Sequence, residues 1–98
     1  MANTPEGRVK DGVKKLLNQH GCYYHMPVVA GYGKRTLDFI GCHRGRFFAI
    51  ETKAGNKDMT EQQEATSAEM VRAGAEVFLV NDSTGTASLA AWLSGVYV

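Results

Sequence analysis

Three charged side chains interrupt two runs of residues that are otherwise apolar enough for central β-strands: Asp38, Glu51 and Lys53. The segment Gly41–Arg46 is predicted to connect these runs, and a hairpin turn centred on Arg44-Gly45 would place Asp38 directly opposite Glu51. Facing residues have Cβ atoms roughly 5 Å apart, so these carboxylates repel each other unless they hold a cation or share a proton. Lys53 projects from the same face as Glu51, because side chains alternate along a strand. The spacing therefore predicts a metal site with an ammonium group beside it.

Residues of these types suit the hydrolysis of a phosphodiester bond. Mg²⁺ takes oxygen ligands, usually one or two carboxylates together with water and substrate phosphate. Asp38 and Glu51 supply the carboxylates, and the backbone carbonyl of Thr52 adds a third oxygen between Glu51 and Lys53. Because the carboxylates favour the charged form of Lys53, we assign it the orientation of water and electrostatic stabilisation. No serine or cysteine with a neighbouring base is evident, so water is the expected nucleophile.

Two less specific interpretations stay open. The first is a solvated strand end with an ion pair, because an aspartate followed by Glu-x-Lys occurs by chance in many proteins. A zinc site is the second, because two cysteines lie near histidines in the sequence: Cys22, His25, Cys42 and His43. Such ligands bind Zn²⁺ tetrahedrally, but the adjacent Cys42 and His43 would point to opposite faces of a strand. With no export signal in the sequence, we also expect both cysteines to be buried free thiols rather than a disulfide.

The composition is that of an ordinary globular protein, with 44% hydrophobic residues and a formal net charge of +1. The 98 residues allow one modest core, so we expect a single domain over residues 1–98. No apolar run reaches the roughly 18 residues of a membrane span. The segment Met1–Glu6 lacks the pattern of a secretory signal. These features predict a cytoplasmic protein.

Positive charge is concentrated around the predicted hairpin. Basic residues outnumber a single acid, Asp38, in this part of the chain; they are Lys34, Arg35, Arg44 and Arg46. A basic rim around an acidic centre suits a phosphate-bearing polymer that meets a metal ion. We therefore predict that these residues bind a nucleic acid around the site.

A first helix is predicted to begin with Thr4 as N-cap and Pro5 at the first helical position. Gly21 ends it near residue 20. Its apolar stripe consists of Val9, Val13, Leu16 and Leu17. Glu6 lies one turn before this stripe, on the same face. It either interacts with the helix dipole as a first-turn acid or points into the site.

A second helix is predicted to begin at Thr60, which forms a capping box with Gln63. The cap alone would explain Gln63, and contact with the site is the alternative. The small residues Ala65, Ala68 and Val71 are predicted to pack this helix closely against the sheet.

Two further strands and a short helix complete the prediction. Residues Cys22–Met26 form the first strand. The almost wholly apolar Glu76–Val80 forms the last one, buried on both faces and parallel to the strand of Glu51. A final helix near Ser88–Leu93 places Trp92 on the core or on a partner. The order α-β-β-β-α-β-α predicts an α/β fold with a mixed four-stranded sheet flanked by helices.

Three segments together resemble the VRR-NUC family, nucleases of the PD-(D/E)xK or restriction-endonuclease-like superfamily: Gly33–Asp38, Gly45–Gly55, and Thr60 with Gln63. The opening Thr4-Pro5-Glu6 is similar to the family's first helix, so the resemblance spans about residues 4–80. One departure is Leu37, where the superfamily's name expects proline. That position shapes the backbone and carries no chemistry.

The resemblance implies that Asp38 and Glu51 bind Mg²⁺ or Mn²⁺ and that Lys53 is the catalytic lysine. It also implies that Glu6 borders the metal site and that Gln63 is the helix glutamine reaching toward it. Stand-alone members of this size are similar to phage-encoded, structure-selective endonucleases that act as homodimers on four-way (Holliday) DNA junctions. Longer relatives cut flaps. The implied protein is thus a metal-dependent DNA endonuclease in the cytoplasm of a bacterial host.

An alternative from another class is a nucleic-acid-binding module that keeps the fold without turnover. The presence of Asp38, Glu51 and Lys53 together argues against that alternative.

Overall fold

A computed structural model describes residues 4–28 and 33–95. Its elements, in chain order, are α1 (Pro5–Gln19), β1 (Tyr23–His25), β2 (Phe39–His43), β3 (Arg46–Thr52), α2 (Glu61–Arg72), β4 (Glu76–Val80) and α3 (Ala87–Leu93). This is the predicted order α-β-β-β-α-β-α. The sequence also predicts a flexible, basic loop over residues 31–36. The first two residues of that loop, together with residues 29 and 30, lie outside the described residues. No helix in the described ranges is long and apolar enough to cross a membrane.

The central hairpin has the predicted register and a tighter turn than predicted. Phe39 pairs with Ile50, and the ladder continues to His43 opposite Arg46. The connection is therefore only Arg44-Gly45, whereas the sequence predicted an irregular segment from Gly41 to Arg46. Both turn residues have positive φ, 52° and 79° respectively. A two-residue turn of this kind matches the right-handed twist of the strands, so the ladder can extend to the turn itself.

The hairpin lies in the middle of a mixed sheet with the strand order β1-β2-β3-β4. β1 pairs antiparallel with β2, and β4 pairs parallel with β3, as the predicted crossover through α2 requires. The prediction that β4 is buried on both faces is wrong. β4 is an edge strand, and its residues before Val80 are half-buried or exposed. Apolar composition does not distinguish a central strand from an edge strand, and an edge strand is buried only where a helix packs against it.

One face of the sheet carries the main core. Phe39, Phe48 and Ile50 are fully buried on this face, because alternate residues of a strand point the same way. They pack against α1 and α3 through Val13, Leu17, Leu89, Trp92 and Leu93. Trp92 thus belongs to the core, one of its two predicted locations. Packing of α1 against this face orients the helix that carries Glu6.

Helix α2 packs with a different face from the one predicted. Ala65 and Ala68 are exposed, and Val71 is 53% exposed. The buried residue of the helix is Thr66, and Gln63 is half-buried beside it. The prediction that small apolar residues form the packing face is wrong, because Gln63 contacts the sheet and thereby fixes the rotation of the helix.

Gly41 lies in β2, between two neighbouring strands. It pairs with Tyr24 on one side and with Phe48 on the other. A Cβ atom here would meet the Tyr23 carbonyl oxygen, and would lie 2.8 Å from Tyr24 Cα and 2.9 Å from Phe48 Cζ. Real Cβ atoms essentially never come that close, so the absence of a side chain permits both the β1–β2 pairing and the position of Phe48.

We expect Gly41→Ala to lower the free energy of unfolding by about 2 kcal/mol or more, because two of the clashing atoms belong to the backbone and cannot turn aside. Urea denaturation measures this change. Gly12→Ala is the matched control: Gly12 lies inside α1 with nothing within 4 Å of the added Cβ. That substitution should stabilise the protein by about 0.5–1 kcal/mol through helix propensity. Equal effects of the two substitutions would contradict the prediction.

Candidate active site

Asp38 is held at the open end of the hairpin by the last residue of β3. The Thr52 backbone N–H donates to Asp38 Oδ2 at 3.0 Å, and the Thr52 hydroxyl donates to the same oxygen at 2.7 Å. Lys10 Nζ lies 3.4 Å from that oxygen as well. Among the described residues, none donates a hydrogen bond to the other carboxylate oxygen, Oδ1. The side chain is therefore fixed through one oxygen and open at the other.

Glu51 is the buried carboxylate beside Asp38. Only 4% of the residue is exposed. Its Oε2 accepts a hydrogen bond from Gln63 Nε2 at 2.9 Å and lies 3.8 Å from Lys53 Nζ. Burial, and then the negative charge of Asp38, raise the pKa of Glu51 to about 7; Lys53, the Asp38 backbone N–H and Lys10 act in the opposite direction with less effect. The cations nearby are thus insufficient to keep Glu51 fully ionised at neutral pH.

Gln63 has both of the roles that the sequence left open. Its backbone N–H donates to the Thr60 hydroxyl at 3.2 Å, and its side-chain Oε1 accepts from the Thr60 backbone N–H at 3.0 Å. These two bonds form the capping box that begins α2. The remaining polar group, Nε2, is the donor to Glu51. One side chain therefore starts the helix and positions the carboxylate.

Glu6 is linked to Asp38 by a lysine. Lys10 Nζ lies 2.8 Å from Glu6 Oε2 and also contacts Asp38, so it bridges the two acids. Partial burial lowers the pKa of Lys10, but the hydrogen bonds and charges of Glu6 and Asp38 outweigh this effect and raise it. Glu6 thus lies near Asp38 and is connected to it through an ammonium group, and its position at the border of a metal site stays a prediction.

A cleft of about 450 Å³ opens onto Asp38 and Glu51. Lys34 and Arg35 line it on one side, and Gln63 lines it on the side of α2. Lys34 forms an ion pair with Glu69 of α2, with Nζ 2.6 Å from Oε2. The cleft therefore combines an acidic floor with a basic wall, which is the charge pattern expected for a phosphate-bearing ligand.

The other two predicted DNA-binding residues do not surround this cleft. Arg44 lies in the hairpin turn, and Arg46 begins β3 at the end opposite Glu51. At about 3.3 Å per residue, Arg46 is roughly 16 Å from Glu51 along the strand. The Arg46 guanidinium lies 4.7 Å from the centre of the Trp92 ring and 4.0 Å from Glu76. The prediction of one continuous basic rim is wrong, because proximity in sequence across a hairpin is not proximity to its open end.

The possible zinc ligands are not brought together as a set. Cys22 Sγ lies 3.5 Å from His43 Nδ1, and His43 Nε2 lies 3.0 Å from the carbonyl oxygen of Leu93. Both cysteines are free thiols, as predicted, and Cys22 is half-buried. The prediction of burial is wrong for Cys42, which is exposed on the other face of the sheet. Over residues 4–28 and 33–95, no three His, Cys, Asp or Glu side chains are gathered closely enough to hold a metal ion by themselves.

The Asp38–Glu51 pair nevertheless fits a hard divalent cation. Mg²⁺ needs only one or two protein carboxylates, with water and substrate completing its coordination. The pair has adjacent carboxylates at the end of a cleft, and Asp38 Oδ1 is open to a ligand. The raised pKa of Glu51 shows that further positive charge would be favourable here. Glu6 could contribute only if it separated from Lys10. The Thr52 carbonyl remains a predicted ligand.

Two contributors to the site were not recognised in the sequence. One is the Thr52 hydroxyl, since the sequence predicted a role only for the backbone carbonyl of Thr52. The other is Lys10. The spacing of Glu6 and Lys10, four residues apart in a helix, could have predicted their ion pair. Nothing local could have predicted the contact between Lys10 and Asp38, because it depends on how α1 packs against the sheet.

Comparison with solved structures supports this fold over almost the whole chain. A structure described as a VRR_NUC domain superposes with a TM-score of 0.71 at 24% sequence identity, covering 97% of this chain and 99% of the other. The fold is therefore that of the VRR_NUC domain, as the resemblance in sequence implies. No family model matches the sequence. No curated protein matches it either.

The pKa of Glu51 predicts how the stability of the metal-free protein depends on pH. Since this pKa is raised from 4.5 to about 7, the folded state favours the protonated carboxyl. The associated stabilisation is fully present below about pH 4.5 and is lost as the pH rises to about 7, by about 3 kcal/mol at most. Glu51→Gln lacks this titration. In the presence of a chelator, its stability advantage over the parent should grow across that range.

Urea denaturation at several pH values measures this difference, and the comparison cancels the other titrating groups that the two proteins share. A constant difference in the free energy of unfolding between pH 4 and pH 8 would contradict the prediction.

Proposed function

We propose that this protein is a divalent-metal-dependent DNA endonuclease that hydrolyses phosphodiester bonds with water as the nucleophile. The observation that carries the proposal is the convergence of Asp38, Glu51, Lys53 and Gln63 at the open end of one hairpin, beside a cleft with a basic wall. The fold shared with a VRR_NUC domain supports it. Neither observation alone would suffice, since folds host many functions and an acid pair can be structural.

Each group has a distinct task in this proposal. Asp38 and Glu51 hold Mg²⁺ or Mn²⁺, and the Thr52 hydroxyl keeps Asp38 in position. The bound ion supplies Lewis acidity, which lowers the pKa of water and neutralises charge on the phosphate. The Lys53 ammonium, half-buried beside Glu51, orients the attacking water and stabilises the negative charge that develops on the phosphate oxygens. Gln63 keeps Glu51 in the orientation needed to bind the ion.

The basic wall of the cleft determines where DNA approaches. Lys34 and Arg35 border the acidic pair, so they bind the phosphates next to the scissile one. Arg44, at the far tip of the hairpin, can contact only a more distant part of the duplex. Such contacts position the backbone without reading sequence, which suits an enzyme that recognises DNA shape.

We propose further that the active form is a homodimer acting on branched DNA, with a four-way junction as substrate. A domain of this size offers little surface for DNA, and a twofold dimer supplies two sites for a symmetric substrate. One row of side chains crosses the sheet on the face opposite the main core: Tyr23, Cys42 and Phe47, aligned by the register of three strands. All three are exposed, Tyr23 at 77%. We assign this row to the contact between two copies.

The purified protein should cut a labelled four-way junction in Mg²⁺ or Mn²⁺ and should not cut it in a chelator. Paired, symmetric cuts would report two sites acting together, and a flap and a linear duplex test selectivity for structure. Asp38→Asn, Glu51→Gln and Lys53→Met should each lower the single-turnover rate by about 10²-fold or more, because each removes a group that acts on the reacting centre.

Asp11→Asn is the matched control, since it removes an exposed carboxylate from the same helix as Glu6 and should leave cleavage unchanged. Failure to cut any of the three substrates with either metal would reject the enzymatic proposal. Unimpaired cleavage by Glu51→Gln would reject the assignment of the site.

The two roles of Gln63 can be separated by substitution. Gln63→Glu keeps a favourable side chain for the capping box but replaces the donor to Glu51 with a carboxylate. Gln63→Ala removes both functions. We expect both variants to lose about 10-fold or more in cleavage rate. The alanine variant should be less stable at every pH because it loses the cap, whereas the glutamate variant should be less stable only where its new carboxylate and Glu51 are both ionised. Cleavage assays and thermal denaturation followed by circular dichroism measure the two effects. Parental activity in Gln63→Glu would restrict Gln63 to the cap.

A further inference from the structure

Lys10 is the one cation that contacts two carboxylates of the site in the described part of the chain. Its Nζ lies 2.8 Å from Glu6 Oε2 and 3.4 Å from Asp38 Oδ2. The Glu6 side chain is 45% accessible and has room to point into solvent, but it turns toward Lys10. The ammonium group therefore joins the start of α1 to the open end of the hairpin.

This position gives Lys10 an effect opposite to that of a metal ligand. An ammonium group neutralises the same carboxylates that a divalent ion would bind, and it repels any other cation near them. It also occupies one oxygen of each acid, Glu6 Oε2 and Asp38 Oδ2. In the metal-free protein, Lys10 thus relieves the repulsion among the acids; for an arriving divalent ion, it is a competitor.

The surroundings allow Lys10 to leave. Its side chain is 28% exposed and borders a second cleft of about 470 Å³, on the side of α1. Lys57 and Ala54, from the turn after β3, line the same space. A released ammonium group would remain close to the acidic pair and to a neighbouring lysine, where a DNA phosphate could pair with it.

We propose that Lys10 is a positioning residue that holds the acidic site in the metal-free protein and is displaced when a divalent ion binds. This inference rests on the proposed metal-dependent function. Helix α1 then carries a carboxylate, Glu6, and a cation, Lys10, that competes with the metal ion. The affinity of the site for the metal therefore includes the displacement of the Lys10 ammonium group.

Calorimetric titration with Mn²⁺ in the absence of DNA tests the proposal. Lys10→Met should bind Mn²⁺ about tenfold more tightly than the parent, because a competing charge has been removed. The same variant should unfold at a lower temperature in a chelator and gain more from added Mn²⁺. Lys10→Arg keeps the charge and should behave like the parent. Lys15→Met removes an exposed charge from the same helix and controls for net charge.

The outcomes separate this inference from the proposed function. A residue that merely supported the structure or oriented Asp38 would make Lys10→Met bind Mn²⁺ more weakly. Weaker or unchanged binding, in a parent that cuts DNA, would overturn the role of Lys10 alone. Tighter binding by Lys10→Met, in a parent that cuts no DNA, would support the exchange and reject the nuclease. A parent that binds no Mn²⁺ would overturn both.

Discussion

The register of the β2–β3 hairpin is the constraint on which the rest of the site depends. A two-residue turn at Arg44-Gly45 fixes which residues face each other along the ladder, and the pairing brings Asp38 to the end of β3 beside Glu51 and Thr52. A shift of one residue would turn every side chain of a strand to the opposite face. It would move Phe48 and Ile50 out of the core and separate the carboxylates at the same time. The core and the chemistry are therefore specified by a single pairing.

Holding Asp38 and Glu51 side by side costs electrostatic free energy, and neighbouring elements reduce this cost in different ways. Thr52 donates twice to Asp38, Gln63 donates to Glu51, and Lys10 and Lys53 supply positive charge from two directions. These groups do not fully compensate the burial of Glu51, whose pKa remains near neutrality. An incompletely neutralised site is consistent with binding a cation, since a fully satisfied ion-pair network would have no need of one.

Sequence patterns predicted the helix caps and the hairpin turn, because interactions between residues close in sequence decide these features. The N-cap at Thr4, the capping box of Thr60 and Gln63, and the turn at Arg44-Gly45 depend on residues a few positions apart, and the structure contains all of them. The rotation of α2, the edge position of β4 and the contact between Lys10 and Asp38 depend on packing between elements far apart in sequence. The pattern of apolar residues therefore predicted the wrong burial for Val71 and β4. The clustering of basic residues along the chain likewise predicted the wrong position for Arg44 and Arg46 relative to the site.

The short hairpin turn also has a kinetic consequence. A β-hairpin closes in roughly 1–10 μs, whereas the contacts of Lys10 and Gln63 with this region require docking of separate helices. Closure of the hairpin therefore brings the two carboxylates together with the Lys53 ammonium group and the Thr52 hydroxyl, which belong to the same local segment. The nearest neutralising groups come with the hairpin itself, and Lys10 and Gln63 add to them only when their helices dock.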